Sequence, residues 1–165
     1  MRILFTIFLF ISFDAQSDVF IIPPSDNAQE RIQEALILAQ PGDEIHLISG
    51  VYKIEDGLSL DVDNILFSGD GHDKTILDFT EQMTGAQGLL VTSNEVMLKD
   101  FAIINTKGDG IKTIGSEGIY FINLRTEWTG GPDSSNGAYG LYPVQSKNVL
   151  IDGCIAIGAS DAGIY

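Results

Sequence analysis

The sequence predicts a solenoid of parallel β-strands, closed at its N-terminal end by one α-helix. Three observations carry that expectation: a repeat of 22 or 23 residues, turn-forming residues at one place in each repeat, and a single helical pattern near the start. Two anchors measure the repeat. The pair Gly-apolar occurs at Gly88-Leu89, Gly110-Ile111, Gly140-Leu141 and Gly163-Ile164, with spacings of 22, 30 and 23 residues. The apolar residue opening a second strand occurs at Ile65, Val96, Ile119 and Val149, with spacings of 31, 23 and 30. Both anchors share one unit with insertions of about eight residues, and periods of this size mark solenoids. A leucine-rich repeat would need a Leu-x-x-Leu-x-Leu pattern, which the sequence lacks.

The elements follow in chain order. Arg2 and the apolar run Ile3 to Phe13 are too short to span a bilayer. With Ala15-Gln16-Ser17 they form the pattern of a secretory leader, so cleavage is expected after Ser17, leaving a periplasmic or extracellular chain that begins at Asp18. Val19 to Ile22 reads as a strand ended by Pro23-Pro24. Ser25 or Asp26 can cap a helix over Asn27 to Ala39, with Ala28, Ile32, Ala35, Leu36 and Ala39 on one apolar face. Gln40-Pro41-Gly42-Asp43 stops it. From Glu44 onward come short β-type runs: Ile45 to Ile48, Gly57 to Leu60, Ile65 to Phe67 and Thr75 to Leu77.

In the later repeats, Gly69, Asp100, Asn123 and Gly153 align four residues after the strand anchor. These are types that tolerate left-handed backbone, so they read as stacked turns. Stacking predicts three inward columns: Phe101, Leu124 and Cys154; Ile103, Thr126 and Ala156; and Leu89, Ile111, Leu141 and Ile164. In this reading the Gly of each Gly-apolar pair makes the turn, the apolar residue points inward and the next residue points out. Lys112, Tyr142 and Tyr165 then form an outward ladder, each rung about 4.8 Å from the next.

Composition sets bounds on partners. The 18 glycines among 165 residues exceed the ordinary share of about 7% and agree with frequent turns. A formal charge of −14 repels nucleic acid and leaves polyanions unfavoured without a local cation. The single cysteine, Cys154, excludes an intramolecular disulfide and reads as a small buried apolar residue. His46 and His72 give no metal spacing. Asp61-Val62-Asp63-Asn64 and Asp70-Gly71-His72-Asp73 could offer oxygen ligands to Ca²⁺, but turns account for them without a metal or other cofactor. Asp109 and Asp161, just before the glycines of their coils, read as corner residues.

Several motifs carry a family resemblance. Ala39-Gln40-Pro41-Gly42-Asp43-Glu44-Ile45-His46-Leu47 with Gly50-Val51-Tyr52, then Gly69-Asp70-Gly71 and Lys74-Thr75-Ile76-Leu77, resemble the opening coils of the pectin lyase-like superfamily. The likeness runs from Val19 to Tyr165. It implies an all-β, right-handed parallel β-helix with an N-terminal capping helix and about five coils. The coil at Gly163-Ile164-Tyr165 has barely begun, so the expectation is an open C-terminal end and further coils of a longer chain. Tyr139-Gly140-Leu141-Tyr142-Pro143-Val144-Gln145 resembles the active coil of mannuronan C5-epimerases and related alginate lyases, Tyr-Gly-Phe-Asp-Pro-His-Glu. Tyr, Gly and Pro match; Tyr142, Val144 and Gln145 stand where that family has its acids and histidine.

The candidate site gathers at the insertion Thr129 to Ala138. Proton abstraction beside a carboxylate needs a base, an acid and charge neutralisation, and Tyr142, Lys112 and Arg125 are the candidates for those roles. Trp128, Tyr139, Tyr165, Glu127 and Asp133 are candidate binding residues, with aromatic faces for sugar rings. An acidic polysaccharide is the expected partner, with no nucleic acid and no membrane after leader cleavage. Three functions stay open: a lyase or epimerase acting on uronates, a non-catalytic polysaccharide binder, and a structural solenoid whose tyrosines are ordinary strand residues.

Overall fold

The structure, a computed structural model, describes residues 17–165. The leader assigned to Arg2 and Ile3 to Phe13 lies outside the described residues. Among the described residues no helix is long and apolar enough to cross a membrane.

Strand β1 (Val19–Ile22) precedes helix α1 (Ala28–Leu38), and five coils of three strands follow. They are β2 (Glu44–Leu47), β3 (Gly50–Lys53) and β4 (Leu58–Leu60); β5 (Leu66–Gly69), β6 (Thr75–Asp78) and β7 (Gln87–Val91); β8 (Val96–Lys99), β9 (Ala102–Ile104) and β10 (Asp109–Ile114); β11 (Glu117–Ile122), β12 (Arg125–Glu127) and β13 (Tyr139–Val144); and β14 (Lys147–Asp152), β15 (Ile155–Ile157) and β16 (Ala162–Ile164). Corresponding strands pair in parallel into three sheets: sheet A is β1-β2-β5-β8-β11-β14, sheet B is β3-β6-β9-β12-β15, and sheet C is β4-β7-β10-β13-β16. This is a parallel β-helix.

Parallel in-register stacking turns sequence repeats into columns. Ile45, Phe67, Leu98, Phe121 and Ile151 are successive partners inside sheet A. Leu58, Leu89, Ile111, Leu141 and Ile164 are partners inside sheet C. Leu77, Ile103, Thr126 and Ala156 do the same in sheet B. The columns read from the sequence are present, that of Phe101, Leu124 and Cys154 being marked by the Arg125 N–H donating to the Phe101 carbonyl at 3.2 Å and the Ile155 N–H to that of Leu124 at 2.8 Å. They are not uniformly buried: Leu141 is fully covered while Ile164 is 46% exposed, and Cys154 is half-buried. Both lie in the fifth coil, whose strands β14, β15 and β16 are the last in their sheets among the described residues.

The glycines play two different parts, and not all of them make turns. Asp100, Asn123 and Gly153 do adopt left-handed backbone, at φ 59°, 49° and 63°. Gly69 does not; it lies in β5, where a Cβ would come within 2.5 Å of the Asp100 carbonyl. Nor do Gly88, Gly110, Gly140 and Gly163 need positive φ. A Cβ on Gly110 would meet the Gly140 carbonyl at 2.7 Å and Thr126 Cγ2 at 2.9 Å. These glycines permit close approach at the corner between sheets B and C.

Helix α1 packs over the first coil and buries Ala28, Ile32, Ala35 and Leu36, with Ala39 just beyond its end. Asn27, rather than Ser25 or Asp26, holds the N-cap position, and no side chain caps the helix there. The Ser25 hydroxyl instead donates to Asn27 Oδ1. Beneath this end, fully buried Tyr52 places its hydroxyl 2.8 Å from the Ile22 carbonyl and 2.7 Å from that of Ile48, donating to one at a time. Burial pushes its phenol up to about 12. Because the folded value exceeds the unfolded one, near 10, this contribution is intact below pH 10 and is lost as pH rises toward 12. Tyr52→Phe should therefore cost about 1 kcal/mol at neutral pH. Urea titrations at pH 8 and pH 11 should find that gap narrowing at the higher pH; a constant gap would contradict the assignment.

Candidate functional site

The outer face of sheet C carries the row Ser59, Leu90, Lys112 and Tyr142, paired rung by rung. Tyr165 extends it, its backbone N–H donating to the Leu141 carbonyl at 3.2 Å. Three tyrosines cluster here. The Tyr139 ring centroid lies 4.3 Å from that of Tyr142 and 5.0 Å from that of Tyr165, the latter pair stacked at 21°. Tyr142 and Tyr165 are 5.8 Å apart. Lys112 Nζ sits 5.1 Å from the Tyr142 centroid, within range of a cation–π contact. Tyr165 is 70% exposed, and Tyr139, Tyr142 and Lys112 are half-buried. The face thus presents a tilted aromatic platform with an ammonium at its edge.

Two carboxylates, read from the sequence only as corners, complete the platform. Asp109 opens β10 beside Lys112, with Oδ2 4.0 Å from Nζ, and accepts the Tyr139 backbone N–H at 3.3 Å. Burial raises its carboxyl above the ordinary aspartate range, opposed by the Lys112 charge. The Asp161 carboxylate raises the Tyr139 phenol above the ordinary tyrosine range, and burial adds to the shift. The signal for Asp109 was its spacing: 30 residues separate it from Tyr139, matching the Gly110 to Gly140 interval.

The other candidates lie elsewhere. Arg125 and Glu127 sit on the outer face of sheet B and form an ion pair with each other. Arg125 also donates to the His72 carbonyl, 3.2 Å from Nη2. The structure therefore brings Lys112 and Tyr142 together and places Arg125 on a different sheet. Trp128 is 4% exposed, which corrects its reading as a binding surface. Its indole N–H donates to the Thr106 carbonyl at 2.7 Å, and it fills the corner under the 129–138 insertion. Asp133 is exposed at the tip of that insertion, where the hydroxyl and N–H of Ser135 hold its carboxyl below the usual range.

Of the turn carboxylates, Asp63 accepts the Asn94 N–H, and Asp70 accepts the N–H and hydroxyl of Ser49. His46 lies between Ser68 Oγ at 2.7 Å and Asp70 at 3.1 Å. Among the described residues no group of three His, Cys, Asp or Glu side chains is placed to hold a metal ion.

No protein-family model matches the sequence, and no curated protein matches it. The fold does have solved counterparts. An alginate lyase from Paenibacillus sp. str. FPU-7 superposes with a TM-score of 0.61 at 15% identity, over 82% of this chain and 44% of that one. The PL6 family alginate lyase AlyGC superposes with a TM-score of 0.58 at 14% identity, over 93% of this chain and 22% of that one. The chain thus spans less than half the length of either structure. At these identities the likeness establishes the parallel β-helix fold.

Proposed function

We propose that this chain is an exported protein that binds an acidic polysaccharide along the outer face of sheet C. The observation that carries the reading is the cluster of Tyr139, Tyr142 and Tyr165 with Lys112 over the Tyr142 ring. Aromatic rings offer sugar rings a broad apolar contact, and an ammonium answers a uronate carboxylate. The solved alginate lyases, which share the fold, support a polysaccharide partner. The motif likeness to the pectin lyase-like superfamily points the same way. A lyase or C5-epimerase is the second reading, favoured by the adjacency of Lys112 and Tyr142 as proton-transfer groups; ultraviolet absorbance from an unsaturated sugar product would reveal the lyase.

Isothermal titration with alginate oligosaccharides tests binding. Tyr142→Ala should weaken it about tenfold, or ~1.4 kcal/mol. Unchanged affinity would remove this face from consideration. Asp109 modulates the same site, because it is the counter-ion of Lys112. Asp109→Asn should strengthen binding of the acidic oligosaccharide about fivefold at neutral pH. The wild type should gain affinity as pH falls through the raised Asp109 range, while Asp109→Asn stays flat. Parallel pH profiles would show that Asp109 does not govern Lys112.

A further inference from the structure

The observation is a buried carboxylate with no cation. Asp43, in the turn between α1 and β2, is 4% exposed. Its Oδ2 accepts the Gln40 backbone N–H at 2.7 Å. Its Oδ1 accepts the Asp18 backbone N–H, also at 2.7 Å. Among the described residues no lysine, arginine or histidine lies within salt-bridge distance of it. Two amide donors satisfy its hydrogen bonds but leave its charge uncompensated, and a buried charge is costly unless it is paired.

The position of one donor suggests what supplies the missing charge. Asp18 is the residue after Ser17, where the leader pattern Ala15-Gln16-Ser17 ends. We infer that hydrolysis of the Ser17–Asp18 peptide bond creates an α-ammonium that forms an ion pair with Asp43, so that maturation itself completes the N-terminal end of the β-helix. The inference rests on the reading of this chain as exported and processed. In the step, water adds its hydroxyl to the Ser17 carbonyl carbon and the C–N bond breaks under a leader endopeptidase. The Asp18 nitrogen leaves as an amine and takes up a proton from solvent. The donor already aimed at Asp43 then becomes a cation without a change of place. A charge-assisted bond is stronger than the amide bond it replaces.

The same contact holds β1 in register. The Asp18 carbonyl accepts the Glu44 N–H at 2.9 Å, and Val19 pairs with Glu44 as the first rung of β1 on β2. The ion pair would therefore fasten the strand that closes sheet A, next to the helix that covers the first coil.

The test compares the chain beginning at Asp18 with a free α-amine against the same chain acetylated there. Acetylation keeps an N–H for Asp43 and removes the charge. The free-amine form should melt about 4 °C higher at pH 6, as a gain near 1 kcal/mol does in a domain of this size. Asp43→Asn should erase that difference while leaving both forms folded by circular dichroism. Equal melting temperatures for the two forms, or a difference that survives Asp43→Asn, would overturn the inference. N-terminal sequencing of the secreted protein separates the two ideas. A start other than Asp18 would sink the processing step, whatever the melting comparison shows of the pair.

Discussion

Phe121→Ala should cost about 4 kcal/mol of folding stability, the expected range for a large aromatic removed from a core that cannot collapse around the gap. Phe121 is fully buried and stands in register between Leu98 of the coil before it and Ile151 of the coil after. Its neighbours are fixed by hydrogen-bonded strands on both sides, so the void stays open. Tyr120 is the control: it points outward on the same strand, in the row of Met97 and Leu150. Tyr120→Ala should cost under about 1 kcal/mol. Equal losses in urea unfolding would mean that the in-and-out alternation of β11 is misassigned.

Gly108→Ala should be nearly as severe, destabilising by about 3 kcal/mol through overpacking. A Cβ there would fall directly on the Ala86 carbonyl group of the coil below, and the Gly108 carbonyl in turn occupies the space above, where a Cβ on Gly137 would go. Backbone rather than a flexible side chain fills the space, so relief requires the coils to separate locally. Gly115→Ala, with nothing within 4 Å of its Cβ but a φ of 69°, isolates the conformational cost alone and should lose about 1 kcal/mol. If Gly108→Ala were the milder of the two, close packing of the coils at this corner would be refuted.

The repeat anchors located the fold because parallel stacking demands the same register in every coil. Ile65, Val96, Ile119 and Val149 recur for that reason, and the Gly-apolar pairs mark the opposite sheet. The reason for the glycines was not legible, since the spacing that signals a turn also signals a tight corner between coils. Gly57, just before the Leu58–Leu89 rung, shows it again, since a Cβ there would meet the Gln87 carbonyl at 2.9 Å.

The ladder of Lys112, Tyr142 and Tyr165 was legible because it follows from alternation along the strand. Trp128 and Arg125 were not. Whether a side chain at a corner turns inward, or reaches back to a carbonyl 53 residues away, depends on packing between coils that spacing does not encode. Asp43 was hidden likewise: within Gln40-Pro41-Gly42-Asp43 it reads as a helix stop, and only the folded chain brings Asp18 to it.

The proposed glycan-binding face is the tyrosine platform on sheet C. Backbone amide chemical shifts followed during a titration with alginate oligosaccharides test it most directly. Binding at the platform should give saturable shifts concentrated at Lys112, Tyr139, Tyr142 and Tyr165, with Arg125 and Glu127 on sheet B unmoved. Saturable shifts centred on Arg125 and Glu127, or none on sheet C at concentrations that saturate binding, would contradict it.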